Sequence, residues 1–216
     1  RGEGNSLSAR SETLLNASTI TGNIRVEGKN VVLQNLNFNG TGDQTITFVS
    51  GAENITLINC VFTAPSGNAD SMWYYGEHAK GSCTITNCVV KDYTSWLLFD
   101  LSSTSGEPQQ ALTRVKMKRN LFKDNLGSGA IRSKTGTPLK TQINNNKFIT
   151  NTFHEWFWAF CEASNHVKRV EVEGNYCEGP TGNELVDKSR HAFQIWSKGD
   201  KPWVLSYKEN EIKNMK

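Results

Sequence analysis

The sequence lacks three features that would place it quickly in a familiar class: charge concentrated in one sign, a long apolar run and amphipathic helical periodicity. Its 24 Lys and Arg and 21 Asp and Glu are interspersed, with no run of five like charges. This argues against nucleic-acid binders, which usually concentrate basic residues on one stripe. No apolar stretch approaches the roughly 18 residues that a membrane-spanning helix needs. No amphipathic helix of three turns is visible, which argues against βαβ units.

Cysteine and histidine are scarce, and neither has the spacing of a transition-metal site. The four His include no HxH or HExxH pair, and the five Cys include no CxxC pair. We expect the cysteines to be small core residues, with at least one thiol unpaired because their number is odd. These are Cys60, Cys83, Cys88, Cys161 and Cys177.

The 216 residues are enough for one domain with a sizeable core, so we expect a single domain over residues 1–216. The chain begins with Arg and shows no leader, and we therefore expect a mature product or a fragment of a longer chain.

The dominant feature of the sequence is an internal repeat. Seven copies share an apolar residue, an Asn two or three positions later and a mostly apolar sixth residue. They begin at Leu33, Leu57, Ile85, Met117, Ile143, Val172 and Tyr207. The mean repeat is about 29 residues, and a second strand-like segment lies between consecutive copies. Short strands at this period, with Gly and Asn at the corners, predict an all-β fold: a right-handed, single-stranded parallel β-helix of about seven to eight coils.

Asparagine occurs 22 times, more often even than Gly at 18. A tight corner needs a residue that tolerates left-handed backbone and satisfies nearby backbone groups with its own amide. We therefore predict a ladder of corner Asn side chains, spaced by roughly 4.8 Å. We also expect the sixth-position residues to stack inside the core: Phe38, Phe62, Val90, Phe122 and Phe148.

The second strand of each coil concentrates aromatic residues, with 11 of the 21 in the chain. Only about half can point inward, so the rest would form an exposed strip. The strip could stack on sugar rings or pack against another chain. The candidate substrate-binding residues are Trp73, Tyr75, Trp96, Trp158 and Trp196.

Charged residues end the same strands. We expect Asp100, Lys134 and Glu162 to come from matching positions of three successive coils, with Arg132 on the same face as Lys134. One interpretation is a surface salt-bridge ladder. The other is a catalytic cleft, in which a base lies beside groups that neutralise a carboxylate.

Several segments resemble the alginate and chondroitin B lyase family, within the pectate-lyase-like β-helices. They are the opening strands over 7–13, 20–28 and 30–38, the aromatic-Tyr-Gly stretch at 72–76, the Asn-x-Phe coil at 120–122 followed by Lys134, and 173–176. The resemblance implies β-elimination on an acidic polysaccharide, with Lys134 as the base. It also implies that Ca²⁺ or a cationic side chain, such as Arg132, stabilises the enolate-like charge. Asp124 and Asn125 are the candidate calcium ligands.

Two functions remain open at this stage. The first is an extracellular or secreted polysaccharide lyase, whose partner is a polysaccharide or cell-surface glycan. The second is a non-catalytic module, such as part of a bacterial adhesin or of a phage or viral tailspike on the virion surface, which could be a homotrimer. Neither involves nucleic acid or membrane insertion.

Overall fold

The computed structural model describes most of the repeat region. The described residues are 17–22, 24–39, 46–48, 51–64, 68–75, 80–100, 112–133, 140–150, 152–164, 168–179, 193–198 and 203–214. For most positions in the second strand of each coil, the backbone is described and the side chain is not.

The described strands form three sheets, of eight, seven and seven strands. Sheet A contains β1 (Ser18–Ile20), β4 (Leu36–Phe38), β7 (Val61–Thr63), β10 (Val89–Lys91), β13 (Leu121–Lys123), β16 (Lys147–Ile149), β19 (Tyr176–Glu178) and β22 (Glu211–Lys213). Sheet B contains β2 (Ile24–Val26), β5 (Ile46–Phe48), β8 (Asn68–Tyr75), β11 (Thr94–Asp100), β14 (Leu126–Ser133), β17 (Thr152–Ser164) and β20 (Phe193–Lys198). Sheet C contains β3 (Val32–Gln34), β6 (Glu53–Ile58), β9 (Lys80–Thr86), β12 (Leu112–Lys118), β15 (Lys140–Asn144), β18 (Arg169–Glu173) and β21 (Val204–Lys208).

Every strand pairs in parallel with the strand three positions later in the chain. The chain therefore passes through one strand of each sheet per coil, and successive coils stack on one another. This confirms the predicted all-β parallel β-helix, and the eight strands of sheet A agree with the predicted seven to eight coils.

The corner between sheet C and sheet A explains the repeat. In each of the seven described corners, the first residue has left-handed backbone: Asn35, Asn59, Asn87, Arg119, Asn145, Gly174 and Glu209. Asn tolerates this conformation better than most residues. At Gly174 an added Cβ atom would lie 2.2 Å from Asn145 Oδ1, so a larger residue there requires the Asn145 side chain to move.

The second residue of the same corner points into the core and forms the predicted ladder in the later coils. The ladder consists of Asn120, Asn146, Asn175 and Asn210. Each of the first three donates from Nδ2 to Oδ1 of the next, at 2.9–3.0 Å. Each Oδ1 also accepts the backbone N–H of the preceding corner, as Asn120 Oδ1 does from Cys88 at 2.9 Å. The amide groups thereby satisfy backbone donors that burial would otherwise leave without partners.

The core is a set of stacked rows, one residue per coil. Phe38 stacks on Phe62 with ring centroids 4.5 Å apart, and Phe122 stacks on Phe148 at 4.8 Å. The register continues this row through Val90, and all five residues are buried. The four cysteines whose side chains are described are buried and reduced, which confirms their prediction as core residues: Cys60, Cys83, Cys88 and Cys177.

Candidate functional site

Sheet B contains most of the residues that the sequence predicts to be functional, and the three longest of the described strands belong to it. β8 and β14 have eight residues each and β17 has thirteen, against three in every strand of sheet A. The described backbone fixes which of these residues lie beside one another. Lys134, the predicted base, lies outside the described residues, so its position stays a prediction.

The register of sheet B corrects one expectation. Asp100 pairs with Arg132, and Arg132 pairs with Phe160. The prediction that Asp100 and Glu162 occupy matching positions was therefore wrong. The reason is that Asp100 pairs with Arg132, two residues before Lys134 in the chain, so the error lies in the register between β11 and β14. Between β14 and β17 the offset also grows by two residues between the pairs at Gly127 and Gly129, an irregularity that a comparison of strand ends cannot detect.

Glu162 instead pairs with Trp196 on the next coil. The register thus makes two neighbouring pairs: a carboxylate residue beside a guanidinium residue, and a carboxylate residue beside an aromatic one. Neighbouring strands lie about 4.8 Å apart. The backbones of the two residues in each pair therefore lie about that distance apart.

Two of the predicted aromatic residues lie level with a row that includes core residues. Trp73 pairs with Ile46 on one side and with Phe99 on the other. Ile46 is fully buried, and Phe193, at the far end of the same row, packs against the core. Tyr75 lies two residues from Trp73 along the same strand. The structure describes only the backbone of Trp73 and Tyr75, so sugar binding stays a prediction for both.

We expect the remaining candidates on the opposite face of sheet B. Trp96, Trp158 and Trp196 are each an odd number of residues from the row that contains Phe99, Ala159 and Phe193, so strand alternation predicts that they share the other face. The same prediction applies to Asp100, Arg132 and Glu162. We call these six positions the sheet-B face.

The two predicted calcium ligands do not form a joint site. Asn125 is buried; its Oδ1 accepts the N–H of Tyr93 at 3.0 Å and its Nδ2 donates to Val90 O at 3.1 Å. Asp124 is exposed, accepts a hydrogen bond from the Thr150 hydroxyl and lies 3.8 Å from Lys123 Nζ. Asn125 is thus a structural corner residue. Within the described residues, no group of three His, Cys, Asp or Glu is arranged to hold a metal ion.

Sheet C carries a charged surface that the sequence analysis missed. Its outward residues on β12, β15 and β18 form rows across three coils, with Arg114 beside Lys140 and Lys140 beside Arg169. Lys116 and Lys118 continue the surface along β12. We call these five residues, which surround Gln142 and Glu171, the basic face. The signal in the sequence was the alternation of basic residues at 114, 116 and 118.

Glu171 is the negative centre of the basic face, and its side chain is only 9% exposed. It accepts hydrogen bonds from Arg169 Nε and Gln142 Nε2, and Lys140 Nζ is 3.5 Å from its Oε1. Burial by itself would raise the pKa of this carboxyl. The hydrogen bonds from Gln142 and Arg169 and the charges of Lys140 and Arg169 outweigh burial, so its pKa is lowered and Glu171 stays ionised.

Comparison with known proteins found no match among protein-family models, curated proteins or solved structures. The resemblance to the alginate and chondroitin B lyases thus gains no support beyond the parallel β-helix itself. In the part of the chain that the structure describes, no helix is long and apolar enough to cross a membrane.

Proposed function

We propose that this β-helix binds an acidic, uronate-containing polysaccharide on its sheet-B face and cleaves the polymer by β-elimination. One observation carries the proposal: the register brings Asp100 beside Arg132 and Glu162 beside Trp196 on the face that also receives Trp96 and Trp158. Aromatic residues offer flat apolar surfaces to sugar rings, and charged residues among them give a uronate its counter-ion.

The reaction needs two groups that this sheet can supply. A base removes the C5 proton of the uronate, the C4–O bond breaks, a C4–C5 double bond forms, and the departing oxygen takes a proton. The charge that grows on the carboxylate must be neutralised in the transition state. Arg132 is suited to that role because a guanidinium binds a carboxylate through two parallel hydrogen bonds. Lys134, two residues further along the chain, is our candidate base.

Asp100 and Glu162 have supporting roles in this proposal. Asp100, level with Arg132 on the adjacent coil, orients the guanidinium. Glu162, level with Trp196, accepts hydrogen bonds from sugar hydroxyls above the aromatic ring. Calcium is not required, because Arg132 supplies the positive charge.

The test is the ultraviolet absorbance of the unsaturated uronide that β-elimination creates. We expect absorbance to rise with alginate, pectate, chondroitin sulphate or hyaluronan, each tried with and without Ca²⁺. Lys134→Ala should slow the rise by roughly a hundredfold or more. Lys29→Ala, in an exposed ion pair with Glu53, is the matched control and should leave the rate unchanged.

The same samples separate catalysis from binding. If no polymer gives a rise, the elimination chemistry is wrong. Polymer binding that is then lost in the double variant Trp96→Ala and Trp158→Ala would assign the chain to the non-catalytic modules. If neither absorbance nor binding is observed, the sheet-B face has no role with polysaccharides.

A further inference from the structure

The basic face brings together charges that are distant in the sequence. Arg114, Lys140 and Arg169 come from three consecutive coils and form one row across β12, β15 and β18. Lys116 and Lys118 extend the surface along β12. With strands about 4.8 Å apart and a rise of about 3.3 Å per residue, the five cations occupy roughly 10 Å by 13 Å.

This surface retains a net positive charge after its internal contacts are counted. Glu171 is engaged by Lys140 and Arg169, and Arg114 Nη2 donates to Gln142 Oε1 at 2.7 Å. The side chains of Lys116 and Lys118 form no ion pair or hydrogen bond with any described residue. Two carboxylates, Glu171 and Glu173, among five cations leave a net positive field that attracts an extended anion.

The neighbouring residues indicate which kind of anion fits. The outward positions of β9, β12, β15 and β18 hold no aromatic residue: Ser82, Thr84, Thr86, Arg114, Lys116, Lys118, Lys140, Gln142, Asn144, Arg169, Glu171 and Glu173. Single-stranded nucleic acid is usually bound by stacking its bases on aromatic rings. Carboxylate, amide and hydroxyl acceptors beside the cations suit a polymer rich in hydroxyl groups.

We infer that the basic face is a second binding surface, which holds a linear acidic polysaccharide through its carboxylate or sulphate groups, independently of the sheet-B face. The flat parallel sheet presents cations at a regular spacing, so a chain with regularly spaced anions can make several contacts at once. The inference rests on the proposed function only for the class of polymer. Binding here requires no elimination chemistry and no residue of sheet B.

The experiment measures retention of the protein on immobilised alginate, heparin and neutral dextran in a rising salt gradient. We expect retention on alginate or heparin, and none on dextran. The double variant Lys116→Gln and Lys118→Gln should bind about fivefold to tenfold more weakly, because two charge contacts to the polymer are lost. Glu171→Gln should elute at higher salt than the unmodified protein, since it removes the only carboxylate at the centre of the basic face.

The matched control is the double variant Lys29→Gln and Lys213→Gln. It removes the same charge from the two ends of the stack, where Lys29 pairs with Glu53 and Lys213 with Glu211. Equal weakening in the two double variants would overturn the inference, because only net charge would then matter. Tighter binding to poly(dT) than to either polysaccharide would also overturn it, as would no retention at low salt. Circular dichroism of each variant establishes that it is folded.

This result is independent of the test of the proposed function. If the two faces are separate, Arg132→Gln on sheet B should weaken retention by the same factor in the unmodified protein and in the Lys116→Gln and Lys118→Gln variant, because independent sites give additive effects. If no ultraviolet absorbance develops but the Lys116→Gln and Lys118→Gln variant is still retained more weakly, the proposed elimination is wrong and binding at the basic face is supported.

Discussion

The early and the later coils of this solenoid form the same corner but carry chemically different side chains at its second position. In the later coils the second corner residue is Asn120, Asn146, Asn175 or Asn210. In the early coils the same position holds three less polar residues: Leu36, Cys60 and Cys88. Strand pairing continues in parallel through both regions.

The comparison shows that the ladder amides do not create the corner. The left-handed residue that precedes them is present in both regions, at Asn59 and Asn87 as at Asn145. In the early coils the buried thiols make weaker contacts, such as that of Cys60 Sγ with Ile58 O at 3.4 Å. The corner is therefore set by backbone conformation and strand pairing, and the amides add satisfied hydrogen bonds to it.

The largest expected effect comes from breaking the amide ladder in its middle. The side chain of Asn146 makes four hydrogen bonds: it accepts from Asn120 N–H and Asn120 Nδ2, and it donates to Met117 O and Asn175 Oδ1. Asn146→Leu leaves these buried groups without partners, and we expect a loss of about 4 kcal/mol in the free energy of unfolding. Denaturant unfolding followed by circular dichroism measures it.

The control for this change is Asn39→Leu, which replaces an exposed Asn outside the ladder. Its effect should remain within about 0.5 kcal/mol. Similar losses in the two variants would show that the ladder has no special importance.

A second pair of variants extends the ladder into the early coils. Cys88 already occupies a ladder position, and its N–H donates to Asn120 Oδ1. Cys88→Asn should cost less than about 1 kcal/mol, because corner groups are available to the new amide. Cys83→Asn should cost about 2 to 3 kcal/mol, because Cys83 faces the apolar core, where burial raises the pKa of its thiol.

Thermal unfolding of these two cysteine variants gives the comparison directly. Equal destabilisation would mean that the early corner cannot accept an amide, and that the two regions differ in geometry as well as in side chain.

The smallest expected effect is a loss of stability at acid pH. It arises from Glu171 on the basic face, because the amide ladder has no group that titrates. Glu171 has a lowered pKa in the folded protein, so its contribution to stability is present above its ordinary value of 4.5 and is lost as the pH falls through the folded value. The partners that face it are Gln142, Lys140 and Arg169. Stability measured from pH 6 to pH 3 should fall less steeply in Glu171→Gln than in the unmodified protein. Parallel curves would rule out Glu171 as a source of the acid sensitivity.

Much of the fold could be predicted from the sequence because the repeat itself shows which residues must be buried together. Apolar residues such as Phe62 and Phe122 recur at one position of each coil, and stacking coils is the way to bury them. The sequence did not show that asparagine has two separate roles at the corner. The first corner residue, such as Asn145, adopts left-handed backbone, and the second, such as Asn146, forms the buried ladder.

The candidate sites were less predictable because they depend on contacts between coils. The two-residue shift between β14 and β17 sets Phe160, rather than Trp158, beside Arg132. Asn125 looked like an oxygen ligand, but its carboxamide is used by the backbone of Tyr93 and Val90.

The sequence by itself determined the solenoid, its period, its buried rows and its asparagine corners, because each follows from local backbone preference and from apolar periodicity repeated along the chain. Only the tertiary structure decided which charges become neighbours. Lys116, Lys140 and Arg169 lie 24 to 53 residues apart in the chain, yet they share one face, because loop lengths and strand irregularities fix the register between coils.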